Sequence, residues 1–194
     1  MSMMSYRSLL TAAAVLIAGT FPARAQAQST TCQFRGAPEA LADRPSPLDS
    51  VAIQLGDGAA KLCYGRPSSR GRAIVGGLDP HGQPWRMGAN EPTTLHVPFP
   101  IRLGSIELEA GSYSLYAIPG ETEWTIVANS NTNRWGIPIS PDVRASDVGS
   151  TLVRPTQAGD HVETLTFTFR GSGTSGILTY AFERTTFDLE ISRR

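Results

Sequence analysis

Residues 164–173 read Thr164-Leu165-Thr166-Phe167-Thr168-Phe169-Arg170-Gly171-Ser172-Gly173. Leu165, Phe167 and Phe169 alternate with three threonines and an arginine, and the run stops at a Gly-Ser-Gly turn. Period-two alternation with polar residues on the off-face marks a half-buried antiparallel strand leading into a hairpin. The same period recurs outward in both directions. Val51, Ile53 and Leu55 alternate with Ala52 and Gln54, Ile106 and Leu108 with Ser105, Glu107 and Glu109, and Phe187, Leu189 and Ile191 with Thr186, Asp188 and Glu190. Tyr113 to Ile118 and Trp124 to Ala128 read as strands with both faces partly apolar. Ala110-Gly111 and Pro119-Gly120-Glu121 supply further links. No run of helical period exceeds about two turns; Pro141 to Gly149 has room for one turn, with Ser140 as cap and Pro141 at the first helical position. About nine or ten strands and no long helix predict an all-β fold, a single antiparallel β-sandwich or jelly-roll-like domain with one long irregular loop.

Composition agrees with one domain. The chain has 194 residues, 17 basic and 17 acidic, with 19 Gly and 14 Pro. Balanced charge excludes the basic footprint of a nucleic-acid binder. Residues 1–25 carry the marks of a secretory signal: Arg7, the apolar run Leu9 to Ala18, and the small-x-small site Ala23-Arg24-Ala25. A membrane-spanning helix needs about 20 apolar residues, and this run has half of them. The expected organisation is a signal peptide at 1–25, an extended leader at 26–48 and a β-sandwich domain at 49–194, with the protein exported, periplasmic or secreted, and no membrane span. The leader is expected to be pinned at Cys32. In an oxidising compartment a lone cysteine pair forms a disulfide, so Cys32 and Cys63 are expected to be bonded. Cys63 shares a strand face with Lys61, opposite Leu62 and Tyr64, where a leader crossing the sheet can reach it.

The irregular stretch runs from Gly65 to Pro92 and is rich in Gly and Pro. A loop of that length in a compact domain is functional or disordered, and Ile74, Val75, Leu78 and Trp85 indicate that it packs. No nucleophile elbow, phosphate loop, H-E-x-x-H or C-x-x-C is present. His81, His96 and His161 are dispersed without metal-ligand spacing, so neither a metal nor a cofactor is expected. The polar residues worth singling out are Arg66, Arg72, Trp85, Arg86, Asn90 and Glu91 in the loop, and Trp135 beyond it. Arginine forks bind carboxylate or phosphate bidentately, Asn90 and Glu91 suit hydroxyls, and the indoles can stack on a ligand. The competing reading keeps all of them structural, with Glu91 paired to Arg66, Arg72 or Arg86 and stapling the loop to the sheet. Asn129, Asn131 and Asn133 read as turn residues, and Trp124 as core.

Several ordered motifs carry a resemblance. They are Tyr64-Gly65-Arg66-Pro67, Gly71 to Leu78, Trp85-Arg86-Met87-Gly88-Ala89-Asn90-Glu91-Pro92, Ala110 to Pro119, Glu123-Trp124-Thr125 and Trp135-Gly136. Over about residues 48–191 the chain resembles the domain of unknown function 2911 family of exported bacterial proteins. The resemblance implies a small β-rich exported domain and brings no catalytic residues. Two functional readings follow. The leading one is an exported, non-catalytic binding or interaction domain, whose partner is a small polar or anionic ligand or another exported protein. The alternative is a periplasmic hydrolase acting on a glycan or ester, using Glu91 with a nearby arginine.

Overall fold

The structure is a computed structural model that describes residues 31–78 and 80–194. The signal expected at 1–25 and the first leader residues lie outside the described residues, as does Asp79. Among the described residues eleven strands, one more than the upper expectation, form two antiparallel sheets. The first comprises β1 (Leu48–Leu55), β2 (Gly58–Gly65), β4 (Thr93–Val97), β7 (Gly111–Ile118), β8 (Trp124–Asn129) and β9 (Asp147–Val153) in that spatial order, with the two-residue β3 (Trp85–Arg86) also pairing with β7. The second places β10 (Thr156–Ser172) beside β11 (Ser175–Arg193), then β5 (Ile101–Leu103) and β6 (Ile106–Leu108). All-β sandwich architecture is what the alternation called for.

The stretch that opened the sequence reading lies on β10. Phe167 pairs with Tyr180 and Phe169 with Leu178 across the hairpin, whose tip Gly173 has φ 59°. Leu165, Phe167, Tyr180, Phe182 and Phe187 face inward, and Tyr180 and Phe187 meet Trp124 of the opposite sheet. Tyr180 and Phe187 stack at 4.6 Å between ring centroids, and Trp85 reaches Trp124 edge-on at 6.1 Å. Trp124 is core, as expected. Trp85 is half-buried and packs its ring against that core from the side.

The one-turn helix α1 (Pro141–Arg144) forms where Ser140 and Pro141 signalled it, with Ser140 Oγ accepting from the Val143 amide at 3.4 Å. Asn129 corrects the sequence reading. It is the last residue of β8, fully buried, and donates to the Val143 carbonyl at 2.7 Å and to Asp147 at 2.8 Å. Its Oδ1 accepts from the Asn131 amide at 2.9 Å, so the turn is made by a buried strand residue.

Candidate functional site

Alternation gives the first sheet two very different faces. Leu62, Leu95 and Leu115 point into the core. On the other face the register aligns Cys63, Thr94, Ser114 and Asn129 in one row, and Lys61, His96 and Ser112 in the next. This polar face is covered by the leader and by the segment between β8 and β9.

The leader is tied down at several points, not only at Cys32. Cys32 is bonded to Cys63, with Cα atoms 5.6 Å apart. The Arg35 amide donates to Glu91 Oε1 at 2.6 Å, and Arg44 Nη1 lies 2.8 Å and 3.0 Å from the two Glu91 oxygens. Arg44 also donates to the Arg35 carbonyl. The Arg35 guanidinium donates to Asn133 at 2.7 Å and sits 5.6 Å from the centre of the Trp135 ring. A short 3-10 turn, Pro38–Leu41, lies between Arg35 and Arg44.

Glu91 therefore pairs with Arg44, a leader residue, and this corrects the expectation that a loop arginine would hold it. Glu91 is buried, with 8% of its side chain exposed, and Arg44 is mostly covered, at 13%. The loop arginines are engaged elsewhere. Arg66 donates to the Leu165 carbonyl at 3.1 Å and to Thr166 Oγ1 at 3.0 Å, and lies 3.6 Å from Asp49. Arg72 donates to the Ser69 carbonyl at 2.8 Å and the Ser68 carbonyl at 3.0 Å. The physical reason is placement. Asn90, at φ 63°, turns the chain so that Glu91 emerges on the leader side of the sheet, and its own side chain donates to the Ser46 carbonyl at 3.3 Å.

Three of the quoted motifs meet at this point. The Ala89 amide donates to the Gly65 carbonyl at 3.1 Å and the Gly136 amide to the Asn90 carbonyl at 2.7 Å. A Cβ on Gly65 would run into the Ala89 carbonyl, and one on Gly136 would lie 2.9 Å from both Arg86 Cδ and the Asn90 oxygen. Close backbone approach explains these glycines.

The singled-out residues divide between two concavities. A groove of about 550 Å³ is lined by Arg70, Arg72, Trp85 and Arg86, with Ile74 and Phe182 among its apolar walls. A smaller cavity of about 390 Å³ lies under the leader, lined by Glu91 and Trp135 together with Arg35, Thr94, His96 and Arg134. Arg66 and Asn90 line neither. Arg35, Arg44, His96 and Arg134 escaped the sequence reading as site residues. The only sequence signal for His96 is its position between Leu95 and Val97, opposite in face to both.

Away from the cavity, Glu163 clasps the start of the long loop. It accepts from Ser69 Oγ at 2.6 Å and from the Arg70 amide at 2.9 Å, and lies 3.2 Å from His161 Nε2. The Ser69 hydroxyl, then the Arg70 amide and His161, hold its carboxyl down at about 2. Among the described residues no three His, Cys, Asp or Glu side chains group so as to hold a metal ion, and no helix is long and apolar enough to cross a membrane.

No curated protein and no solved structure matches the chain. One family model does, over residues 46–191, described as protein of unknown function (DUF2911). That span takes in the strands of both sheets and every quoted motif but not the leader residues Phe34 and Arg35 that wall the smaller cavity, and the chain belongs to this family.

Proposed function

We propose that the protein is an exported, non-catalytic binding domain that takes a small anionic ligand with an apolar body in the groove beside Trp85. The observation that carries this reading is the lining of the groove: Arg70, Arg72 and Arg86 line it together with the Trp85 indole and the apolar side chains of Ile74 and Phe182. Guanidinium forks match carboxylate and phosphate oxygens, and their flat faces tolerate an apolar neighbour. Arg72 is braced by two backbone carbonyls, so its fork is held in place before a ligand arrives. Glu91 supports the non-catalytic part. A general acid or base must have a proton position open to substrate, and Glu91 is buried with its oxygens on Arg44 and the Arg35 amide. Nothing favours hydrolysis through that residue. A disulfide fits an oxidising compartment outside the cytoplasm.

Calorimetric titration of the secreted chain with octanoate and inorganic phosphate tests the reading. Saturable binding of either, weakened about tenfold or more by Arg72→Gln or Arg86→Gln with the fold intact, is expected. Binding indifferent to both substitutions, or no binding, would contradict it. Intact-mass analysis of the exported protein is expected to find it beginning near Gln26; retention of residues 1–25 would remove the export reading.

A further inference from the structure

The cavity under the leader holds a feature that the groove reading does not use. His96 is 7% exposed, and its Nδ1 lies 2.8 Å from Ser112 Oγ. Its Nε2 is buried and has no hydrogen-bond partner among the described residues. Arg134 has the same deficit. Its Nη1 donates to the carbonyls of Trp135 and Gly136, and its Nη2 donates to Ser114 Oγ at 3.2 Å. Its Nε is buried without a partner among the described residues, and the guanidinium makes no salt bridge there. Both side chains line the same cavity. Buried polar groups are normally satisfied, and each exception needs an explanation.

The register puts the two orphans side by side. Ser112 and Ser114 lie two residues apart on one face of β7, opposite His96 and Thr94. Two residues along a strand span about 7 Å. The imidazole rests on the first serine and the guanidinium on the second, and both side chains line one cavity. We propose that this cavity is a second binding site, for a small planar carboxylate held between His96 and Arg134 beneath the leader.

The chemistry fits in three respects. A carboxylate carries two acceptor oxygens, one for each nitrogen. Charge in the walls favours an anion: Arg35 and Arg134 are cationic, Lys61 neighbours His96 in register, and the carboxylate of Glu91 is offset by Arg44. Trp135 and Phe34 in the wall offer flat apolar surface to the body of the ligand, and about 390 Å³ is the small end of ligand pockets. Burial first, and the Lys61 ammonium second, push His96 below the usual histidine range, so the ring is neutral at pH 7. When the Ser112 hydroxyl donates to Nδ1, the single ring proton sits on Nε2, where a carboxylate accepts it. The site is separate from the groove, and its failure leaves the groove reading untouched.

Nitrogen-15 imidazole spectra of the secreted chain test this, with sodium benzoate as the probe. The chain has three histidines, and His96→Gln assigns the signal. Saturable movement of the His96 Nε2 signal, as its N–H gains a carboxylate acceptor, is expected, with apparent affinity weakened about tenfold by Arg134→Gln and unchanged by Arg72→Gln. If Arg134→Gln does not fold, Trp135→Ala serves, because that side chain is 49% exposed; it is expected to weaken binding about threefold. The proposal is overturned if benzoate up to about 10 mM, ten times a millimolar Kd, leaves His96 unmoved. It is equally overturned if Arg72→Gln abolishes the effect, if neither cavity variant weakens it, or if inorganic phosphate moves His96 at the same concentrations.

Discussion

Two irregular segments cover the same sandwich, and they are fastened by opposite means. The leader from Cys32 to Pro47 is held by a covalent bond and by a buried ion pair, Arg44 with Glu91. The loop from Arg66 to Pro84 is held mainly by half-exposed hydrogen bonds: Arg72 on two carbonyls, Ser69 and the Arg70 amide on Glu163, Ser68 on Thr164. Both segments are arginine-bearing. The difference teaches that an arginine's role follows from its partner. Facing a buried carboxylate it is a staple, whereas braced on backbone carbonyls at the lip of a groove it keeps donors for something else.

The comparison predicts a graded loss of stability. Replacing both Cys32 and Cys63 by serine releases a loop closed across a sequence separation of 31, worth about 3–4 kcal/mol by chain entropy. At about 2–4 °C per kcal/mol for a domain of this size, the melting temperature is expected to fall by about 6–16 °C. A fall of only a degree or two would show that the leader is held without its bond.

Next comes Glu91→Gln. It leaves the Arg44 charge buried without its counter-charge. Breaking a buried pair costs about 3–5 kcal/mol, and the retained amide oxygen puts this change at the low end, or about 6–12 °C. Thermal denaturation beside Glu109→Gln calibrates it, since Glu109 is 74% exposed in its side chain and pairs only at the surface with Arg194. Equal small shifts in the two variants would remove the staple.

Glu163→Gln should act more weakly and only above acidic pH. The folded carboxyl is held at about 2 against an ordinary value of 4.5. A depressed carboxylate adds stability above its unfolded value and loses it as pH falls toward the folded one. Melting curves of wild type and variant should therefore differ at pH 6, converge between about pH 4.5 and 2, and coincide below. A gap that persists at pH 2 would mean that the clasp does not depend on the charge. Smallest of all is Glu109→Gln, expected within about 0–1 kcal/mol of wild type.

How much of this was legible in the sequence depends on which link sets each feature. Strand alternation is local, so Leu165, Phe167 and Phe169 announced their buried face, and Trp124 its place in the core. The disulfide followed from compartment and from the outward face of Cys63. Partner choice is not local. Nothing near Glu91 in the chain distinguishes Arg44, 47 residues away, from Arg86, five residues away; the choice is made by Asn90, whose left-handed turn aims Glu91 at the leader. Likewise the His96 cavity exists only because the register sets Ser112 beside His96 and Ser114 beside Thr94. Asn129 was misread because its turn-forming chemistry is real while its burial, set by α1 folding over it, is invisible in the sequence.

A double-mutant cycle tests the contrast between the two segments most directly. Glu91→Gln is combined in turn with Arg44→Met and with Arg72→Met, and unfolding free energies are measured for all members. Residues in direct contact couple by about 0.5–3 kcal/mol, and distant ones add. The account predicts coupling of about 2 kcal/mol or more between Glu91 and Arg44 and none between Glu91 and Arg72. Coupling of Glu91 to Arg72, with none to Arg44, would contradict it.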